Sequence, residues 1–540
     1  MTAYITNEII TIVLFDFYLM ILYDDGWRIS VMIRILLALY LLFFYGSIGV
    51  YAEEAPLNRI VTEKLITPVD SSSWVQETCR ISADNRRIAY VANVDNKPVA
   101  IIDGVKGSKY DSIMKGTPIF SSDSKHVAYS ARLNNKWLIV MDGKEGRQYD
   151  TIGKDTLIFS PDGKRTAYVA SLDNKWFAVV DGKEGRRYDG IGATSLIFSP
   201  DSKRVVYVAG LGDKRFLVVD GEGWKYYEGF EKGSIAFSPD SKRIAYAVWT
   251  GKKVQLIVDV KEGKQYDKIG AGTVMFSPDN KRIAYTAMTD GNWLVVIDGE
   301  EGKQYDDVGN LTFSPDGTHI AYFAMTGGKW LAVMDGKEGN QYDEIMKGSL
   351  IFSPDGKRMA YVAKLGEKWF VVSEGDGNQY DSIVTGSLLF SPDSQHLAYI
   401  AKLGKNSLVV IDEKEEKQYS EVGENSLVFS SDSRQLAYSA GVENKWFVVV
   451  DGKEGKQYDG IVRGTPIFSP DNKHLVYGAR TGVKSTVIVD GKAGRVYDGI
   501  FSIGGGRIVF DSPDNFHYLA TKKKEVYLIE EKVMSKVTIQ

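Results

Sequence analysis

Histidines, paired carboxylates and a cysteine are the side chains from which a catalytic or metal site would be built, and the chain holds five, many and one of these. His126, His319, His396 and His474 each fall six positions after a recurring phenylalanine, and His517 falls seven after Phe510. The same slot holds Arg87, Arg165, Arg204, Arg243, Arg282 and Arg358 in other places. A slot that accepts Arg or His is structural or surface, and no two of the histidines have the short spacing of a zinc pair. Asp162, Asp201, Asp240, Asp279, Asp316, Asp355, Asp393 and Asp471 sit in Ser-Pro-Asp turns, and Tyr-Asp pairs such as Tyr149-Asp150, Tyr188-Asp189 and Tyr458-Asp459 recur likewise. General acid and base need two environments that separate two pKa values, and near-identical copies supply one environment many times. Cys79 alone excludes an intrachain disulfide framework and a cysteine-built zinc site, and reads as a small buried apolar residue. The chain is therefore expected to be no enzyme, with no catalytic residue, metal or cofactor.

What positions these residues is a repeat. The phenylalanine position recurs at Ile81, Phe120, Phe159, Phe198, Phe237, Phe276, Phe313, Phe352, Phe390, Phe429, Phe468 and Phe510, most steps being 39 residues and the extremes 37 and 42. A fixed period of this size means a solenoid, a propeller or an array. Each unit holds four short runs of Val, Ile, Phe, Tyr and Trp between clusters of Gly, Asp, Asn, Ser and Lys, which predicts strands and tight turns. In one unit the strands are expected over 156–160, 166–170, 176–181 and 187–191, with turns at Ser160-Pro161-Asp162-Gly163 and Asp181-Gly182-Lys183-Glu184-Gly185. Four antiparallel strands in about forty residues make one propeller blade.

The motif Phe352-Ser353-Pro354-Asp355-Gly356-Lys357-Arg358, an apolar residue, then Ala360-Tyr361 resembles the WD-like propeller repeat of TolB-like proteins and of the propellers that cap prolyl oligopeptidases. The resemblance covers roughly residues 74–540 and implies an all-β fold of about twelve four-stranded blades; for TolB-like proteins it implies a periplasmic protein partner. Since four to eight blades are usual in one ring, two six-bladed propellers in tandem are expected, over 74–345 and 346–540, with a single large ring or a division of seven and five as the alternatives. Residues 53–73 are expected to bring a ring-closing strand, Asn58 to Ile66, to the blade begun at Arg507, because an open propeller would expose an edge strand. The α/β domain that precedes the propeller in TolB-like proteins is expected to be absent.

Other signatures fail on spacing. No strand-turn-helix context surrounds a Gly-x-Ser-x-Gly elbow, no calcium loop alternates acids around a central Gly, and the Ser-Pro-Asp-Gly turn departs from a sialidase aspartate box by its glycine position. Trp137, Trp176, Trp293, Trp330, Trp369 and Trp446 share a slot at the start of the third strand; they read as packing aromatics, or as an aromatic rim for a carbohydrate-binding or hydrolytic propeller. Antiparallel order places the turns after strands one and three on one face, nearly constant between copies, and the between-blade loops on the other. Those loops vary, and their Lys115, Lys154, Lys232, Asn310, Lys347, Glu424 and Arg463 are the expected partner-binding residues, since loops free to differ can be fitted to a partner.

With 44% hydrophobic and 25% charged residues and a net charge of −4, the composition is globular and carries no basic block, so nucleic acid is not an expected partner. Residues 1–52 differ in class. Ile35 to Ala52 is uncharged, follows Arg34 and ends in Val50-Tyr51-Ala52, the pattern of a secretory signal read from Met32; Ile9 to Tyr23 is a second apolar run that would make the leader a membrane anchor. Either way the propeller is expected to be exported, periplasmic or extracellular, and to act as a non-catalytic module that binds or scaffolds a protein of the cell envelope.

Overall fold

The computed structural model describes residues 59–68, 73–192 and 194–534; the leader and its membrane role lie outside them. Among the described residues no helix is long and apolar enough to cross a membrane.

The repeat folds as written, one antiparallel sheet per unit, twelve sheets in all among the described residues. In the third blade Thr166–Leu172 pairs with Lys175–Val180, with Ala167 opposite Val180 and Leu172 opposite Lys175. Lys175–Val180 then pairs with Lys183–Glu184, and a bridge from Trp176 to Tyr188 extends that outermost ladder. On the inner side two short pieces, Thr151–Ile152 and Ile158–Phe159, both pair with Thr166–Leu172.

This differs from the expected strand limits at the outer edge. Asp181 and Gly182 both take positive φ, 51° and 75°, so the hairpin closes in two residues, as a primed turn does. The fourth strand therefore starts at Lys183, and Gly190–Ile191 belongs to the first strand of the following blade, opposite Gly210 and Ala209.

Apolar side chains fill the clefts between blades. Second strands are buried on both faces, which is why they read as continuous apolar runs. Ala128 and Ile139 of the second blade join Tyr149, Ile152, Tyr168, Ala170, Phe177 and Val179 in one cluster. Each such Val, Phe or Ile contributes about 1.5–3 kcal/mol by leaving water. A tyrosine ending one blade meets, edge to face, a tyrosine in the second strand of the next: Tyr110 and Tyr129, Tyr149 and Tyr168, Tyr305 and Tyr322, Tyr342 and Tyr361, with centroids 6.1, 6.1, 6.3 and 6.2 Å apart.

These junctions correct the tandem arrangement. Phe323, Tyr342, Ile345, Tyr361 and Phe370 form one cluster across the expected break, which falls after the seventh blade rather than the sixth, and Ala284, Tyr305 and Tyr322 join the sixth blade to the seventh. The first blade packs on the twelfth: Cys79, Ile88 and Tyr90 share a cluster with Phe501, Leu519 and Leu528, and Asn85 Nδ2 donates to the carbonyl of Arg507 at 2.7 Å. One ring of twelve forms because every blade presents the same two faces, so nothing in the chain marks a seam. A wide ring also needs only a small rotation between neighbours, which leaves even outermost strands within side-chain reach: Arg147 pairs with Glu184 at 2.8 Å, Lys264 with Glu301 and Lys417 with Glu454 at 2.7 Å.

Closure follows the expectation. Arg59–Pro68 lies antiparallel to Glu525–Val533, Arg59 opposite Val533 and Pro68 opposite Glu525, as the outermost strand of the twelfth blade.

Candidate functional site

The constant face is occupied with holding the ring together. In one turn the Ser160 hydroxyl donates to Asp162 Oδ1 at 2.6 Å, and the Arg165 amide donates back to Ser160 Oγ at 3.0 Å. Asp162 N donates to Ser202 Oγ of the next blade at 2.9 Å. The Asp162 carboxyl is held below the usual range, first by the Ser160 hydroxyl and then by the Lys164 amide. Arg165 donates through Nε to Asp181 Oδ2 at 2.9 Å and through Nη1 to the carbonyls of Ser202 and Lys203 in the next blade at 3.1 and 2.6 Å, with its guanidinium over the Phe198 ring. This bridging explains why an arginine fills the slot.

The histidines in that slot keep the first bond. Nδ1 of His126, His319, His396 and His474 lies 2.7, 2.6, 2.6 and 2.7 Å from Asp142, Asp335, Asp412 and Asp490. His517, 1% exposed, is set between Asp511 at 2.8 Å and the carbonyl of Asp84 in the first blade at 2.7 Å. In the Tyr-Asp pairs Tyr149 is buried, whereas Asp150 accepts from Lys136 Nζ and, at 2.9 Å, from the Asp173 amide. Cys79 is buried, and burial pushes its thiol up to about 12.

The six slot tryptophans are half-buried. Trp176 packs against the cluster of Val169, Tyr188 and Leu196, Trp369 against that of Tyr380 and Tyr399, and the ring of Trp446 lies over Gly441, where an added Cβ would stand 3.1 Å from Cε2. Trp137, Trp176, Trp330 and Trp369 thus serve as wedges between blades.

The variable segments are placed differently from expectation. They are bulges inside the first strand, which explains its two pieces. In the third blade the Thr156 hydroxyl donates to the carbonyl of Gly153 at 2.8 Å and accepts from the Val169 amide at 3.1 Å, so Gly153-Lys154-Asp155 is lifted out while the ladder resumes at Ile158. The 2.9 and 3.0 Å bonds that the Val208 and Ala247 amides donate to Ser195 and Ser234 repeat the device. A hydroxyl three residues before the repeat phenylalanine, at Thr78, Thr117, Thr156, Ser195, Ser234, Thr273, Ser349, Ser387, Ser426 and Thr465, is the sequence signal for it. The seventh blade, two residues shorter, has a continuous strand Asp307–Phe313 with Asn310 at φ 53°.

First strands touch their like in the next blade, as Ala236–Phe237 touches Met275–Phe276 and Val428–Phe429 touches Ile467–Phe468, so they form the inner wall of the ring. The bulge tips meet along it. Lys115 Nζ is 3.8 Å from Glu77 of the first blade, a Cβ on Gly116 would lie 3.3 Å from Asp155 Oδ1 of the third, and Thr385 Oγ1 is 3.5 Å from Met346 Sδ of the preceding blade. Lys115, Lys154, Lys232, Lys347, Glu424 and Arg463 are exposed and Asn310 is half-buried, so the structure brings the expected partner-binding residues together as a collar on the inside of the ring.

No protein-family model matches the chain, and no curated protein matches it. Among solved structures it is similar to a eukaryotic initiation factor, with 11% identity and a TM-score of 0.32, over 76% of this chain and 98% of that one. A Dos1 propeller matches with 12% identity and a TM-score of 0.25 over 56% and 92%, and TolB from Acinetobacter baumannii with 16% identity and 0.23 over 54% and 88%. The twelve-bladed ring is the propeller architecture that the TolB-like resemblance of the repeat implied.

Proposed function

We propose that the protein is a non-catalytic binding module that grips a protein partner with the collar of bulge tips. One observation carries the reading: the twelve units are nearly alike wherever they hold one another, and differ where they reach the inside of the ring. Five cationic side chains, Lys115, Lys154, Lys232, Lys347 and Arg463, share the tips with Glu77, Asp155, Glu231 and Glu424, a mixed-charge surface that favours one protein charge pattern over others. The His and Asp side chains that a hydrolytic reading would need are engaged in turn and interblade bonds.

The proposed site of action is the cell envelope. Its support is the uncharged run Ile35 to Ala52 behind Arg34, the pattern of an export signal. Fractionation with mass spectrometry of the first native peptide tests it; a native chain recovered intact from the cytoplasm overturns the placement.

The binding reading is tested by photo-cross-linking in cells, with the cross-linker at position 154 or 347 and, as a control, at Lys164 in a constant turn. Tips that capture a single discrete protein, lost when all tips are replaced by the Thr385-Gly386 type, support the reading. Capture from the turn and not from the tips overturns it.

A further inference from the structure

Across the junction between two blades, the outermost strands are tied by a carboxylate. Lys303 Nζ of the sixth blade lies 2.7 Å from Glu338 Oε1 of the seventh, and the Tyr305 hydroxyl donates to the same oxygen at 2.8 Å. Arg495 Nη1 and the Tyr497 hydroxyl of the eleventh blade hold Glu63 Oε1 of the twelfth in the same way, at 3.2 and 3.1 Å. The pattern is a cation, one residue and a tyrosine on one blade, with a carboxylate on the outermost strand of the next. At two junctions the carboxylate is missing. Arg186 and Tyr188 of the third blade face the fourth, where the second residue of the outermost strand, glutamate at Glu184, is Gly223. Lys456 and Tyr458 of the tenth face the eleventh, where it is Ala493. Arg186 and Lys456 are exposed and form no ion pair among the described residues. Tyr188 and Tyr458 are 2% and 5% exposed, and their hydroxyls have no hydrogen-bond partner.

We infer that these two junctions are binding sites for carboxylate side chains supplied by a protein partner. The ligand follows from what the repeat itself places there, a glutamate held by one cation and one phenol. A guanidinium or ammonium and a phenol O–H all donate, so together they take an acceptor, and an anion best. The Glu338 carboxyl shows this preference: it is held below its usual range, first by Lys303 and then by Tyr305. A buried donor without an acceptor carries a desolvation cost that such a ligand removes. There is room for it, since a Cβ on Gly223 would meet only Phe216 Cδ1, at 3.9 Å. Glu222, one residue earlier, does not substitute, as it makes no hydrogen bond to the Tyr188 hydroxyl. The hydroxyls of Tyr266, Tyr380 and Tyr419 are also unbonded, but Glu301, Glu415 and Glu454 stand beside them. Gly223 and Ala493 lie on outermost strands, so both sites open on the perimeter of the ring, away from the collar. A carboxylate drawn to the exposed guanidinium ends beside the phenol, as Glu63 does between Arg495 and Tyr497. That the carboxylate belongs to a protein rests on the binding reading proposed above; the sites and their preference for a carboxylate do not.

The test uses the full chain and N-acetylglutamate α-amide as the probe, with N-acetylglutamine amide as its uncharged control, and reads binding by saturation-transfer NMR without any partner. The wild type is expected to bind the glutamate probe saturably in the millimolar range and the control not at all. Gly223→Glu and Ala493→Glu, which restore the repeat's own carboxylate, are each expected to lower the saturating signal and raise the unfolding midpoint, and together to abolish binding. Glu338→Gly, which empties a filled junction, is expected to increase the signal; should it fail to fold, the two filling variants decide. No saturable binding, equal binding of both probes, or binding that persists in the doubly filled chain overturns the sites. In cells, a photo-cross-linker at position 222 is expected to capture one discrete protein from the wild type and none from Gly223→Glu. Probe binding without such capture overturns the protein source alone, and the collar reading keeps its own test at positions 154 and 347.

Discussion

Arg59 and Glu531 form a buried ion pair, Nη1 to Oε2 at 3.0 Å with side chains 6% and 0% exposed, that joins the first described strand of the chain to its last. The same guanidinium donates to the carbonyl of Lys492 at 2.8 Å, and Glu531 accepts the Tyr518 hydroxyl on its other oxygen at 2.6 Å. Both charges are therefore hydrogen-bonded inside the protein, which is the condition under which a buried pair is tolerated. Arg59→Ala leaves Glu531 buried without its cation, and the ring is expected to lose about 3–5 kcal/mol, read as a lower urea midpoint by circular dichroism. A midpoint equal to that of the wild type would show that the twelfth blade closes without the pair.

Removing the closing strand should act differently from weakening it. Residues 59–68 pair with Glu525–Val533 along its whole length, so a chain begun at Ser73 presents an uncovered nine-residue edge. Exposed edges of this kind recruit other strands. Concentration-dependent dimers and larger species are expected by light scattering, where the full chain gives one species; a monodisperse truncated chain would contradict this.

Acid should open the ring through its constant turns. Ten turn aspartates, Asp123, Asp162, Asp201, Asp240, Asp279, Asp316, Asp355, Asp393, Asp432 and Asp471, are all held below the usual carboxylate range. Asp279 and Asp316 reach about 2, held first by the hydroxyls of Ser277 and Ser314. A folded-state value below the unfolded one, about 3.9, means stabilisation that is fully present above that pH and is lost as pH falls toward 2. Stability is thus expected to be flat from pH 7 to 5 and to drop between pH 4 and 2. Ser277→Ala should raise the Asp279 pKa, observed by carbon NMR of the carboxylates. A stability curve that stays level to pH 2.5 would remove these turns from the account.

The blade was legible because its signals are local. Pro-Asp-Gly turns, alternating runs and a 39-residue period each arise within one unit, and the closing strand was legible because the last unit lacked one. Ring size was not. The faces of Tyr305–Tyr322 and Tyr342–Tyr361 junctions are the same as those elsewhere, and the angle at which they meet is set by packing that no local pattern encodes. The collar was half legible: its residues stand out by varying, but Lys154 reads as a between-blade loop residue, because the Thr156 hydroxyl, which bonds Val169 thirteen positions away, makes the bulge by a long-range contact.

The interblade tyrosines give the alkaline counterpart of the acid prediction. Tyr361, Tyr380 and Tyr419 are raised to about 12, in each case first by burial, which penalises the phenolate. A raised folded-state value means that the stabilisation is fully present below the ordinary phenol pKa of about 10 and is lost as pH rises through 12. Phenolate absorbance is therefore expected to show a large late phase that coincides with loss of the strand circular dichroism signal. Tyr361→Phe keeps the ring contacts with Tyr342 and Phe323, centred 6.2 and 5.5 Å away, and removes one group from the late phase while leaving neutral-pH stability within about 1 kcal/mol. If all tyrosines instead titrate together near 10 while the protein stays folded, the rings are not sealed between blades, and the clefts must open far more readily than their packing implies.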